Sequence, residues 1–287
     1  MSAIPVKPRQ ANPAHLPCPL SEILEQLPPT LGAGEVYSHL ENMPAHYWEE
    51  LTKQDLIFHL STIHEFFIHL AQGDQHATVP VIRSRHFPKK GHTELAVCTW
   101  DRKGLVSKIA GALACANLNI LKASVYTRFD HVVLDLFRVE DPKGRHAPGK
   151  LHMRKVEAYL SQALESEAPL DLCELLDKTI HARRREKSAK AKKNNAPEIR
   201  VGWLNHHTAS TTCLSVDAPD TPGLLHAILD ELTRARLNVH TATIRTKGKK
   251  AEDEFRVTDQ YGRMLAIAEE RKQIALAVEN RIRALFE

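Results

Sequence analysis

Residues 93–128 read TELAVCTWDRKGLVSKIAGALACANLNILKASVYTR, and residues 212–247 read TCLSVDAPDTPGLLHAILDELTRARLNVHTATIRTK. The two stretches lie 119 residues apart and match position by position: Asp101 with Asp220, Gly104 with Gly223, Leu105 with Leu224, Ile109 with Ile228, Leu113 with Leu232 and Asn119 with Asn238. After a one-residue slip the match resumes, with Phe137-Arg-Val-Glu-Asp141-Pro-Lys-Gly-Arg145 against Phe255-Arg-Val-Thr-Asp259-Gln-Tyr-Gly-Arg263. Such a duplication decides the architecture before any single element does. A tight turn between strand and helix, repeated at equivalent positions, points to paired ligand sites rather than to one catalytic centre.

Periodicity fills in the rest of each copy. Thr93–Thr99 alternates as a strand with Leu95 and Val97 on one face. Lys103–Asn117 has the helical stripe Leu105, Ile109, Leu113 and Ala116, and Leu118–Arg128 with His131–Glu140 forms a hairpin. A helix over 149–164 follows, with a continuation at 170–182. Val79–His86 is a strand ahead of the first copy, and Glu198–Asn205 plays the same part ahead of the second. Strand 211–217, helix 222–236, hairpin 237–258 and helix 265–286 complete that copy. Strand, strand, helix, strand, strand, helix predicts a four-stranded antiparallel sheet with two helices on one face. The expected class is α+β: two ferredoxin-like, βαββαβ-type domains at 79–182 and 198–287.

The flanking segments are of different character. Residues 1–35 hold seven prolines and read as a disordered Pro-rich tail, with Leu20–Leu27 as its one candidate helix. Residues 36–75 read as a short helical segment. Pro44 suits a first helical turn, Thr52 with Gln54-Asp55 a helix start, and Leu56, Leu60, Ile63, Phe67 and Leu70 an amphipathic stripe that Gly73 ends. Residues 183–197 form a basic linker whose first eleven residues, RRREKSAKAKK, carry seven basic groups and one acid.

Composition excludes several functions. At 43% hydrophobic and net charge +4 the 287-residue chain is globular. No run approaches the ~18 apolar residues that a bilayer span needs, and the N-terminus lacks an apolar signal core. Five dispersed cysteines without a CxxC fit a reducing cytoplasm, not a disulfide framework or zinc knuckle. His59, His64 and His69 recur every five residues, a spacing that does not align metal ligands on one helix face, and His206-His207 reads as loop. The basic run has no interleaved aromatics, so a solvated linker is expected and nucleic acid is not. No Walker-type loop and no nucleophile–base order stands out, and Cys98 and Cys115 fall at expected core positions. The expectation is a protein with no catalytic residue, metal or cofactor of its own.

At Asp101-Arg-Lys-Gly-Leu105 with Leu118-Asn-Ile120, and at Asp220-Thr-Pro-Gly-Leu224 with Leu237-Asn-Val239, the sequence resembles the ACT domain family, small regulatory modules that bind amino acids. The preceding strands and the Phe-Arg-Val-x-Asp-x-x-Gly-Arg tails resemble the C-terminal tandem pair of the bifunctional uridylyltransferase/uridylyl-removing enzymes, and Leu40–Trp48 with Phe58-His-Leu60 resembles the helical segment that joins their hydrolase domain to that pair. Nothing here matches that family's Gly-rich transferase segment. Its His-Asp hydrolase motif is also missing: Asp130-His131 is in the reverse order. The resemblance therefore implies a cytoplasmic regulatory portion, in nitrogen metabolism, with glutamine as the first ligand to try and a protein partner to receive the signal. Two alternatives remain: a detached subunit of such a transferase, and an oligomerising scaffold that forms a homodimer through its sheets.

The expected site residues are Asp101, Arg102, Gly104, Leu105, Asn119 and Ile120 in the first copy. In the second they are Asp220, Thr221, Pro222, Gly223, Leu224, Asn238 and Val239. Free N–H groups at the start of the helix after the turn favour a carboxylate. Gly104 and Gly223 admit close approach, and Pro222 pre-sets the turn. Asp101 and Asp220 are placed either to cap the helix or to take a ligand's ammonium group. Asn119 and Asn238 offer an amide that donates and accepts. The same residues equally make a good strand-to-helix turn. The first copy, with Arg102 and Lys103 in its turn, is the more anion-loving. The resemblance places such sites where two ACT units pack together, within or between chains.

Overall fold

The computed structural model describes residues 16–48, 51–72, 79–141, 146–165, 197–204, 211–221, 223–247 and 249–286. The expected helix at 170–182, the basic run, Gly73, His206-His207 and Pro222 lie outside the described residues.

Helices α1 (Leu20–Leu24), α2 (Ala33–Asn42) and α3 (Lys53–Ala71) come first, with a 3-10 turn at Ala45–Trp48 between the last two. The first copy holds β1 (Val81–Phe87), β2 (His92–Trp100), α4 (Leu105–Cys115), β3 (Asn119–Thr127), β4 (Val132–Glu140) and α5 (Lys150–Glu165). The second holds β5 (Arg200–Leu204), β6 (Thr212–Pro219), α6 (Leu224–Arg234), β7 (Asn238–Thr243), β8 (Thr246–Lys247), β9 (Lys250–Thr258) and α7 (Ala268–Arg283). The fold is α+β, with strand order β1-β2-β4-β3-β7-β9-β6-β5 and β8 on β9. Read inward from either end, the order is the first, second, fourth and third long strand of each copy.

Two compact units divide the chain. One comprises residues 1–83, 96–101 and 126–135, the other residues 84–95, 102–125 and 136–287.

In the larger unit β6 pairs with β5 and β9, and β9 with β7, all antiparallel. The register of β7 slips between Val239 and Thr241, leaving His240 as the extra residue of a bulge. Strand β3 pairs antiparallel with β7 through Lys122–Thr243, Ala123–Ala242 and Ser124–Thr241. Because equivalent residues of the two copies differ by 119, this register is symmetric about Ala123 and Ala242. The copies therefore meet through the same surface of each, as subunits of a two-fold dimer do. Both alanines are fully buried. Helix α4 packs against α5 and α6, and α6 against α7. Leu105, Ile109 and Leu113 of α4 and Leu224, Ile228 and Leu232 of α6 are buried at four-residue steps, as the repeat requires.

Both repeat helices end alike. Leu118 N–H donates to Leu113 C=O and Asn117 N–H to Ala114 C=O; Leu237 and Arg236 do the same with Leu232 and Thr233. These are Schellman ends, and the left-handed residue of each is Asn117 (φ 61°) or Arg236 (φ 59°) where glycine is usual. The first helix thus ends on Asn117.

The smaller unit corrects the expectation of a disordered tail through residue 35. Ile23, Leu27, Leu31, Val36, Leu56 and Leu60 form a buried cluster over α1, α2 and α3, with Leu16 and Cys18 packed on it. Three- and four-residue spacing from Leu20 to Leu31 carries that core despite the prolines. Helix α3 opens with a reciprocal cap: Asp55 N–H donates to Thr52 Oγ1 and Thr52 N–H to Asp55 Oδ2. Its burial is wider than one stripe, since Phe58, His59, Thr62, His64 and Phe66 are buried too, while Phe67 and Leu70 are half-buried. Inside this unit a directional relay forms. Arg128 Nη1 donates to His39 Nδ1 (3.3 Å), so His39 Nε2–H donates to Tyr47 Oη (3.0 Å) and Tyr47 O–H to His59 Nδ1 (2.8 Å). Burial first, then the Arg128 charge, holds His39 well below the usual histidine range and keeps it neutral.

Among the described residues no group of His, Cys, Asp and Glu could hold a metal, and no helix is long and apolar enough to cross a membrane. Burial pushes the thiol of Cys115 up to about 11 and that of Cys98 higher, which makes both poor nucleophiles.

Candidate functional site

Strand β6 ends at Pro219, and the chain turns through Asp220 and Thr221 to Gly223, which sits at φ 83° as the residue before α6. Leu224 N–H closes the turn on Thr221 C=O (3.2 Å), and Ala227 N–H makes the first helical bond to Gly223 C=O (2.9 Å). Geometry gives the amides of Leu225 and His226 no helical carbonyl. Among the described residues no side chain caps this end. Asp220 therefore does not cap α6, and its own N–H is tied to Lys249 C=O (2.9 Å).

In front of this end lies a cleft of about 690 Å³ including its open mouth. The second copy supplies Asp220, Thr221, Gly223 and Leu224 on one wall, with Ile244, Thr246 and Asp253 from β7–β9. The first copy supplies Asn119 and Ile120, where β3 begins, with Ala110 and Ala114 of α4. Six of the residues expected from sequence thus converge: the turn of one copy faces the strand start of the other, within one chain. Asn238, Val239, Asp101, Arg102, Gly104 and Leu105 do not line this cleft. The first-copy turn repeats the local geometry, with Gly104 at φ 75°, Leu105 N–H on Arg102 C=O and no capping side chain, so Asp101 caps nothing either. Nε and Nη2 of Arg102 are buried without a partner among the described residues. The asparagines are partly committed: Asn119 Nδ2 reaches Asp141 C=O at 3.5 Å and Asn238 Nδ2 reaches Asp259 C=O at 3.1 Å.

Two features were missed from sequence. Asp253 is 2% exposed, with Oδ1 accepting, among the described residues, a single long bond from Arg245 N–H (3.3 Å). Burial, and secondarily the carboxylates of Asp220 and Asp217, push its pKa up to about 7. Its repeat equivalent, two residues before the matching Phe, is Asp135, fully buried with both carboxylate oxygens unpartnered among the described residues; burial and then Asp101 hold its carboxyl well above the usual range. The signal was the Asp-x-Phe-Arg-Val match itself. The second feature is His226. Its Nδ1–H donates to Ser107 C=O (2.8 Å) while Ser107 Oγ lies 3.1 Å from Nδ1 and 3.4 Å from His226 C=O. Ser107 and His226 are repeat equivalents, so they touch where the two helices cross the same pseudo-two-fold as Ala123 and Ala242. Burial depresses the His226 pKa and keeps the ring neutral.

Residues 214–286 match the family model described as ACT domain. The chain carries an ACT domain. A wider stretch, 218 residues, is 29% identical to a bifunctional uridylyltransferase/uridylyl-removing enzyme of Gluconobacter oxydans, covering 75% of this chain and 21% of that protein. The enzyme of the same description from Azospirillum brasilense is 33% identical over 172 residues, 59% of this chain and 18% of its own length. The chain spans about a fifth of these curated relatives, so the ACT-domain protein distantly resembles one part of them. Among solved structures, an aspartate kinase from Synechocystis is similar over 69% of this chain and 28% of its own, at 16% identity and a TM-score of 0.38.

Proposed function

We propose that residues 79–287 are a tandem ACT pair and that the cleft receives a small amino acid, glutamine being the first candidate, whose binding is passed to a protein partner without turnover in this chain. The observation that carries this is the convergence of the uncapped α6 end, Asp253 and the Asn119 strand start in one cleft. A ligand carboxylate meets the open amides of Leu225 and His226 and the positive end of the α6 dipole. Its ammonium group is drawn to Asp220 and Asp253, and the side chain runs toward Asn119, with Ile120 and Ala114 beside it.

Asp253 makes the binding pH-dependent. A cationic amine stabilises the ionised carboxylate, so affinity rises with pH through about 7 and levels off above it. A thermal-shift screen of the whole chain against the twenty common amino acids tests the reading. One amino acid is expected to raise the melting temperature in proportion to the logarithm of its excess over Kd. A flat screen at millimolar concentrations, with the protein folded, overturns it.

A further inference from the structure

The smaller unit holds a second cavity, apart from the ACT cleft, of about 500 Å³ including its mouth. Leu31, Leu60, Ile63 and Phe67 give it an apolar wall; Glu35, Ser38, His39, His64 and Arg128 give it a polar one. Arg128 is 3% exposed, and Asp130 engages its Nε (2.9 Å) and Nη2 (2.7 Å). Its Nη1 finds only the neutral His39 ring at 3.3 Å. A guanidinium has five N–H donors, so one on Nη1 and one on Nη2 have no acceptor among the described residues. Phe67 stacks under the same guanidinium, 5.6 Å from ring centre to Cζ, and fixes its plane. Glu35 is the other pole. One oxygen bonds His64 Nδ1 (2.6 Å) and the other accepts from Gly32 N–H (3.1 Å), which leaves each a further lone pair.

A cationic donor, a carboxylate and an apolar wall around one cavity match a small zwitterion with an apolar side chain. We propose that this cavity binds an α-amino acid with a branched aliphatic or aromatic side chain, its carboxylate on Arg128 and its amine on Glu35. A purely anionic ligand meets Glu35 unfavourably, and a purely cationic one meets Arg128. The helices α2 and α3 and the hairpin tip 128–130 all contribute, so occupancy ties them together within this unit.

The test is methyl-detected NMR of the whole chain with Ile and Leu methyls labelled, titrated with leucine and then phenylalanine to about 10 mM, tenfold above a Kd of about 1 mM. The expected result is saturating shifts at Leu31, Leu60 and Ile63. 4-Methylpentanoate, which lacks the amine, binds at least about fivefold more weakly, and 3-methylbutylamine gives no saturating shift. Leu224, Leu225 and Ile244 report the ACT cleft separately, so failure of one site is distinguishable from failure of the other. Because Arg128→Ala removes a buried charge partner and endangers folding, the blocking variant is Ser38→Phe, at an exposed position of the mouth. It is expected to weaken leucine binding at least tenfold with the remaining spectrum unchanged. Absence of shifts at Leu31, Leu60 and Ile63, equal binding of the amine, or undiminished binding by Ser38→Phe overturns the proposal.

Discussion

Replacing Asp253 by Asn separates a buried acid from its environment. The carboxyl titrates at about 7 in the fold against an ordinary 3.8. Between these values the folded chain keeps a proton that the unfolded chain has released. The stabilising contribution is therefore complete below about pH 4, declines as pH rises, and is lost above about pH 7. At 1.36 kcal/mol per pKa unit the whole range is worth about 4 kcal/mol. Asn keeps an acceptor for the Arg245 N–H and cannot ionise. Equilibrium urea unfolding of both proteins from about pH 4 to pH 8 gives the answer as a difference. The wild type is expected to lose about 4 kcal/mol relative to Asp253→Asn over that interval. His39 and His226 act in the opposite direction, gaining stability as pH rises toward the ordinary histidine value, but they are common to both proteins and cancel. A difference that does not change with pH would refute the reasoning.

Three other substitutions follow from the same packing. Arg236→Gly relieves a left-handed residue at the end of α6 and is expected to stabilise by about 1 kcal/mol, read as a rise in denaturation midpoint. Tyr47→Phe strands His39 Nε2–H and His59 Nδ1 in a buried relay; it is expected to cost about 1–3 kcal/mol by urea unfolding. His226→Ala removes the ring N–H bond to Ser107 C=O where the copies meet and is expected to cost about 1 kcal/mol. A cycle with Ser107→Ala should show a coupling above about 0.5 kcal/mol, as contacting residues do.

The repeat made most of the fold legible. Strand and helix periods are local properties, and every described element of both copies falls within a few residues of its expected place. The pairing of β3 with β7 was not legible, because no local pattern says which edge a strand will meet. Residues 20–31 read as disordered from their prolines, yet Leu20, Ile23, Leu27 and Leu31 at three- and four-residue steps give α1 and its flank a buried face. The turn residues were recognised, but Asp253 and Asp135 were not, since an aspartate in an alternating strand reads as a solvent-facing position until the fold buries it. The Asn119 and Asn238 amides proved partly occupied by backbone carbonyls that lie about twenty residues away in sequence, a contact only the closed hairpin creates.

The most direct measurement of the central claim is calorimetric titration of L-glutamine into the whole chain and into Gly223→Asp. In that variant the new side chain sits at a residue with φ 83°, and its carboxylate lies at the open end of α6 where the ligand's own is expected. The account predicts saturable binding by the wild type, tighter at pH 8 than at pH 6 because Asp253 ionises at about 7, and at least tenfold weaker in the variant. No saturable heat from the folded wild type, or equal affinity in Gly223→Asp, would contradict it.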